Sequence, residues 1–192
     1  MVSPRERMVL SAALLIREHG AHPTAIADVL EHSRAPRGSA YHYFPGGRTQ
    51  LLCEAIDYAG EYVASRIASA DSGLDALDDL VAYYRKQLLR SDYRAGCPVV
   101  AVSVEAGDPA KPDVIDRAAV AFSRWNDLIA QRLVADGVSA ARAEELAMLT
   151  TTSIEGAIVV ARASRDVKPL DLVHGQLRAL LQAEDAPKGN PR

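Results

Sequence analysis

The sequence is short of what secretion, metal binding or catalysis would need. Two cysteines, Cys53 and Cys97, in 192 residues make neither a disulfide framework nor a metal quartet, and reduced thiols in a cytosolic protein are the plain reading. The longest apolar runs, such as Cys97–Val102, fall far below the roughly 18–20 residues of a membrane span. The N-terminus has no apolar core behind a basic start, so no secretion signal is expected. No stretch alternates apolar and polar residues for long, so an Asn-Gly or Asp-Gly hairpin turn would have no strands to join. Nucleophile-elbow and His-Glu-x-x-His patterns are missing. No enzyme, cofactor or metal is expected.

Charge of one sign is also scarce: the net charge is −3. Its distribution is uneven. Residues 1–48 hold six arginines against four acids, which leaves +2 there and −5 for the remainder. Four of the five histidines, His19, His22, His32 and His42, fall in the same stretch. A basic start on an acidic remainder permits a polyanionic partner.

What is present is helical periodicity. Ser3, Pro4 and Glu6 supply a hydroxyl cap, a proline at the first helical position and a glutamate three residues after the cap. Met8, Val9, Ala12, Leu15 and Ile16 then recur at helical spacing, and Gly20 ends the helix. Thr24 is the expected cap of a second helix, and His32–Ala35 the turn after it. A short third helix is expected over Pro36–Tyr43, closed by Pro45-Gly46-Gly47. Longer helices follow over about 49–70, 74–90, 112–135, 140–162 and 170–183, with a shorter one opening at Cys97-Pro98 and ending near Gly107-Asp108-Pro109. The tail 186–192, with two prolines and a glycine, is expected to be disordered. The fold class is all-α.

The third helix sets the functional question. Isolated helices under about 12–15 residues are marginal in water, so neighbours must hold it. Arg37, Ser39, Tyr41 and His42 are nearly all hydrogen-bond donors, and a braced donor-rich helix suits a polyanion. In a helix-turn-helix the second helix enters the major groove. Arg37 suits guanine O6/N7, a pairing worth about 1–3 kcal/mol of discrimination. Gly38 lets backbone approach the DNA closely, Ser39 can reach a base or phosphate, and the amides beside Thr24 can hold a phosphate. The competing reading is a solvated connector, with Thr24 a structural cap alone.

Residues 35–48, Ala-Pro-Arg-Gly-Ser-Ala-Tyr-His-Tyr-Phe-Pro-Gly-Gly-Arg, followed by Leu51-Leu52 and Glu54-Ala55-Ile56, resemble the signature of TetR-family transcriptional repressors. Pro45-Gly46-Gly47 and the later Gly96-Cys97-Pro98-Val99 resemble the branch around LmrA and YxaF, regulators of multidrug efflux. Three positions depart from the family pattern: Arg34 stands where the turn usually has glycine, Ala40 where a larger apolar residue is usual, and Arg48 where lysine is more frequent. Residue 34 is the position where a left-handed conformation is needed, at a cost of roughly 1 kcal/mol or more.

The resemblance implies a helix-turn-helix DNA-binding domain over residues 1–48, an effector-binding and dimerisation domain over 49–185, and the tail beyond. Its DNA-binding set comprises Thr24, Pro36, Arg37, Gly38, Ser39, Tyr41, His42 and Arg48, with Tyr41, His42 and Arg48 toward phosphates; a merely solvated Arg48 is the alternative. An effector cavity would involve Tyr58, Tyr62, Tyr84, Val100, Phe122 and Trp125, each of which is otherwise core. A four-helix dimer interface would use Leu146, Leu149, Ser153, Gly156, Ala157, Leu177 and Leu180, with internal packing as the competing account. Cys97 reads as a structural cysteine, a redox sensor being the alternative. The expectation is a cytoplasmic homodimer that binds a near-palindromic double-stranded operator and releases it on binding a small apolar or aromatic effector, with no membrane partner. The alternative is a helical small-molecule-binding protein whose DNA-binding helices are degenerate.

Overall fold

The computed structural model describes residues 2–105 and 113–185. Every regular element among the described residues is a helix: α1 Pro4–His19, α2 Ile26–Ser33, α3 Ser39–Tyr43, α4 Gly47–Ser69, α5 Gly73–Arg90, α6 Pro98–Val104, α7 Asp113–Ala135, α8 Ala140–Ser164 and α9 Lys168–Asp185. The break at 107–109, the helix start at Pro112 and the tail at 186–192 lie outside the described residues.

The capping chemistry of α1 explains its start. Ser3 Oγ accepts from the Glu6 amide at 3.2 Å, and the Glu6 carboxylate accepts from the Ser3 amide at 2.7 Å. This reciprocal pair satisfies two of the four donors a helix start leaves open. At the other end Gly20 takes φ +92° and ψ 169° while its N–H bonds Ile16 O at 2.8 Å, a conformation only glycine occupies freely.

The chain divides into two compact units. One gathers the residues up to Tyr62 with the stretch from Arg94 to Phe122; the other gathers Val63–Tyr93 with the residues from Ser123 on. Helices α4 and α7 each begin in the first unit and end in the second.

In the first unit, Met8, Ile16, Val29, Phe44, Leu51 and Ile56 are essentially fully buried. Arg5 pairs with Glu54 at 2.6 Å and lies over the Phe44 ring at 5.3 Å, tying α1 to α4. A Cβ on Gly60 would stand 2.8 Å from the Ala121 Cβ, so glycine is what lets α4 and α7 approach so closely there. Helix α6 packs along α1. Its leading end is held by the Gly96 amide donating to Arg17 O at 2.9 Å and by an Arg94–Glu18 ion pair at 3.7 Å.

The second unit packs α5, α8 and α9 together. Ile67, Leu77, Leu88, Leu146, Ile158 and Leu170 are its largest fully buried side chains. Asp78 on α5 receives His174 Nε2 at 2.6 Å and the Arg178 guanidinium from α9. Burial pushes the Asp78 carboxyl up, but the hydrogen bonds and charges of Arg178 and His174 hold it below its ordinary value.

Helix α8 is long and apolar enough to cross a membrane by length and composition alone. Ten of its residues, including Ala143, Leu146, Ile154 and Ile158, are buried against its own unit. Its opposite face leaves Met148, Leu149, Val159 and Val160 exposed.

Candidate nucleic-acid interface

Helix α2 ends in a turn that depends on one residue. Arg34 adopts φ 54° and ψ 35°, the left-handed conformation. Its amide bonds Glu31 O at 3.2 Å, and the Ala35 amide bonds Leu30 O at 3.1 Å. These paired bonds close the helix as a Schellman motif does and offset the cost of a non-glycine residue there.

The expected third helix over Pro36–Tyr43 is shorter than its sequence suggests. Only Ser39–Tyr43 is α-helix. Pro36 opens a turn in which the Ser39 amide donates to Pro36 O at 2.9 Å and Ser39 Oγ donates to the same carbonyl at 2.6 Å. Ser39 thus shapes the turn, and its hydroxyl proton is already engaged. Ala40 and Phe44, each 1% exposed, anchor the helix from within. Pro36, Arg37, Gly38, Tyr41 and His42 are all exposed, Tyr41 by 75%. The His42 and Tyr43 rings meet edge to face at 5.1 Å.

Two expected DNA contacts are differently employed. Thr24 is not the cap of α2; Ala25 holds that position, and its amide donates to the Asp28 carboxylate at 3.0 Å. Thr24 is buried, and its hydroxyl donates to Gly20 O at 2.7 Å. Arg48 is half-buried and turned back onto the α1–α2 loop. Its guanidinium donates to Thr24 O at 2.8 Å, to His22 O at 3.0 Å and to Ala21 O, which ties the start of α4 to the α1–α2 loop. Glu105, which sequence reasoning missed, reaches the same loop: its Oε2 accepts from the His22 amide at 2.9 Å.

The expected effector residues separate. Tyr84 and Trp125, both buried, line a void of about 20 Å³ in the second unit with Val63, Ile67, Leu80 and Ile129. That volume admits about one water molecule. Thr151, 7% exposed, also lines it, and its hydroxyl has no hydrogen-bond partner. Tyr58, Tyr62, Val100 and Phe122 belong to the first unit, where both tyrosines are exposed by at least 40%. A larger cleft of about 760 Å³ in the first unit is lined by Glu54, Asp57, Asp113 and Asp116 with Arg117, Cys53 and Val120, an acidic wall rather than an aromatic one. Burial pushes the Cys53 thiol up, so it stays protonated and weakly nucleophilic.

The expected dimer residues also divide. Leu146, Ala157 and Leu177 are at most 5% exposed and pack inside the protomer. Leu149 and Gly156 face outward, Ser153 and Leu180 are half-buried, and a Cβ on Gly156 would meet nothing within 4 Å. On α8 and α9, the exposed apolar residues that sequence reasoning passed over are Met148, Val159, Val160 and Leu172.

A three-helix cluster that presents an arginine-bearing turn and a short helix outward is the architecture of a helix-turn-helix DNA-binding protein. The family model for the C-terminal domain of LmrA/YxaF-like transcriptional regulators matches residues 73–176. Rv0196 of Mycobacterium tuberculosis (strain ATCC 25618 / H37Rv), an uncharacterised helix-turn-helix-type transcriptional regulator, is 66% identical over 188 residues, spanning 96% of this chain and 97% of its own. A solved TetR transcriptional regulator from Legionella pneumophila superposes with a TM-score of 0.80 at 16% identity, covering 94% of this chain and 98% of its own. The TetR-family regulator CifR, a cysteine mutant solved with a 26-base-pair double-strand operator DNA, gives a TM-score of 0.73 at 21% identity, covering 91% of this chain and 94% of its own. The chain belongs to the TetR family of helix-turn-helix transcriptional regulators, in its LmrA/YxaF-like branch.

Proposed function

We propose that the protein is a homodimeric, ligand-responsive repressor that binds a near-palindromic operator in the cytoplasm. Residues 1–48 serve DNA binding; residues 49–185 serve effector binding and dimerisation. The observation that carries this reading is the exposed segment from Pro36 to His42, in which the side chains of Arg37, Tyr41 and His42 have no hydrogen bond or ion pair to any described residue. Arg37 reads guanine, Gly38 gives close approach, and Tyr41 and His42 take phosphates. Pro36 and Ser39 fix the turn. Thr24, whose own amide and hydroxyl are both engaged, contributes by fixing the chain just before α2, where the amides of Ile26 and Ala27 can take a phosphate. In a dimer, two such segments meet half-sites about 34–36 Å apart along the duplex.

The exposed apolar residues of α8, with Leu172 on α9, are the dimerisation surface. Effector binding starts from the void beside Tyr84 and Trp125. Because its volume is far below the roughly 300–1,000 Å³ of an ordinary ligand pocket, a small apolar or aromatic effector must select a more open conformer. That difference in affinity is what shifts the operator-binding equilibrium. Two backbone hydrogen bonds at the Arg34 turn and the burial of Ala40 support an intact DNA-binding segment over a degenerate one.

Fluorescence anisotropy with the protein's own upstream DNA tests the reading. Specific binding with a steep inverse dependence on salt is expected. Equal affinity for unrelated duplexes of the same length would overturn it.

A further inference from the structure

The loop between α1 and α2 is gripped from two sides by side chains of opposite charge. We infer that Glu105, at the end of α6, and Arg48, in the first turn of α4, are positioning residues for DNA binding, which hold the Gly20–Thr24 loop and through it set the placement of α2 and α3. The inference rests on the DNA-binding reading above and adds to it how the recognition segment is kept in place.

The polar backbone of this loop is almost entirely spoken for. Glu105 Oε2 accepts from the His22 amide at 2.9 Å. Arg48 donates to the carbonyls of Ala21, His22 and Thr24. Thr24 Oγ1 donates to Gly20 O at 2.7 Å, and the Thr24 amide to Ala21 O at 3.1 Å. An anion thus holds a donor and a cation holds three acceptors; hydrogen bonds to charged groups are about twice as strong as neutral ones. The fit is tight, because a Cβ on Gly20 would overlap Glu105 Oε1.

The two grips come from different places. Arg48 lies five residues beyond α3, so it fixes the loop to the same segment that reads DNA. Glu105 lies 83 residues from His22 and follows α6 directly. The opposite end of α6 is already bound to α1 through Gly96 and Arg94. Helix α6 is therefore held at both ends against the α1–α2 pair, and a shift of its Glu105 end pulls on the residue three before α2's cap. Ala25 caps α2 immediately after the loop, so displacement passes into α2 and onward through the Arg34 turn to Arg37. A phosphate-binding Arg48 would act differently: its loss would lower the salt slope by about one, whereas a positioning arginine lowers affinity at unchanged slope.

The test uses the full chain and labelled upstream DNA with wild type, Glu105→Ala, Glu105→Gln and Arg48→Ala, together with hydrogen exchange at the His22 amide. Glu105→Ala is expected to weaken specific binding at least tenfold at unchanged salt slope and to speed His22 exchange at least tenfold. Glu105→Gln, which still offers an oxygen to the His22 amide, is expected to restore most of both. Arg48→Ala is expected to weaken binding with the wild-type slope. The inference is overturned if Glu105→Ala binds within twofold of wild type, if His22 exchange is unchanged, or if Arg48→Ala reduces the slope by about one. Should Glu105→Ala fail to fold, Glu105→Asp, whose side chain is one methylene shorter, is judged by the same limits: weaker binding with faster His22 exchange sustains the inference, and wild-type binding and exchange overturn it. If wild type itself shows no sequence preference, the DNA-binding reading fails separately, and unchanged His22 exchange in Glu105→Ala would then dismiss the loop grip as well.

Discussion

Phe44→Ala is expected to lower the thermal midpoint by roughly 6–20 °C, and it is the most damaging single truncation near the recognition segment. Phe44 is 1% exposed and closes α3, its amide bonding Ala40 O at 2.8 Å while its carbonyl accepts from the Gly47 amide at 2.8 Å. Arg5 covers the ring at 5.3 Å. Removing a buried phenyl costs about 3–5 kcal/mol through lost transfer energy and the cavity left behind. In a chain of this size each kcal/mol is about 2–4 °C. A helix of five residues has no stability of its own to resist such a loss, so specific DNA binding should fall further than the midpoint implies. Differential scanning calorimetry beside anisotropy checks both. A shift under about 3 °C would mean that Phe44 is not the anchor of α3.

Val160→Lys should convert the proposed dimer to a monomer while leaving the protomer folded. Val160 is 53% exposed on α8 next to Val159 at 49%, on the helix that also leaves Met148 at 52% and Leu149 at 44% exposed. The protomer itself therefore loses little when a lysine replaces this valine. In a symmetric interface each patch faces its own copy, so the substitution buries two like charges in an apolar contact. Joining two half-site contacts multiplies affinity by about 10²–10⁴, and the monomer should lose about that factor on the operator. Sedimentation velocity and anisotropy together give the answer. A variant that stays dimeric at wild-type operator affinity would remove α8's exposed face as the interface.

Much of the fold was legible because its signals are local. Ser3, Pro4 and Glu6 mark one helix start, Gly20 its end, and Pro45-Gly46-Gly47 the break before α4, all within a few residues of the features they cause. The left-handed Arg34 was legible from the family resemblance, in which that turn position usually holds glycine. The cap of α2 was misassigned to Thr24, although Asp28 three residues after Ala25 carried the capping-box signal that favours Ala25.

The candidate site was legible where exposure follows from composition, as at Arg37 and Tyr41, and obscure where a side chain's partner is distant. Nothing local tells whether Arg48 meets phosphate, solvent or carbonyls. Its partners lie 24 to 27 residues back in the chain. Glu105 gave only a faint signal, an acid ending the largely apolar stretch Val99–Val104. On α8 the choice of small and apolar residues mixed two faces: Leu146 and Ala157 point inward, while Leu149 and Gly156 point outward. Small size permits close approach on either side, so burial alone separates them.

Selection of bound sequences from a random duplex pool, run in parallel with wild type and Arg37→Ala, tests the central claim most directly. The account predicts that wild type enriches a near-palindrome whose half-site centres lie about 10–10.5 base pairs apart. Arg37→Ala should relax the preference at one guanine in each half-site, at about 1–3 kcal/mol, and keep the rest of the motif. An unchanged motif and affinity in Arg37→Ala would contradict the recognition role of this turn, and no enrichment by wild type would contradict operator binding itself.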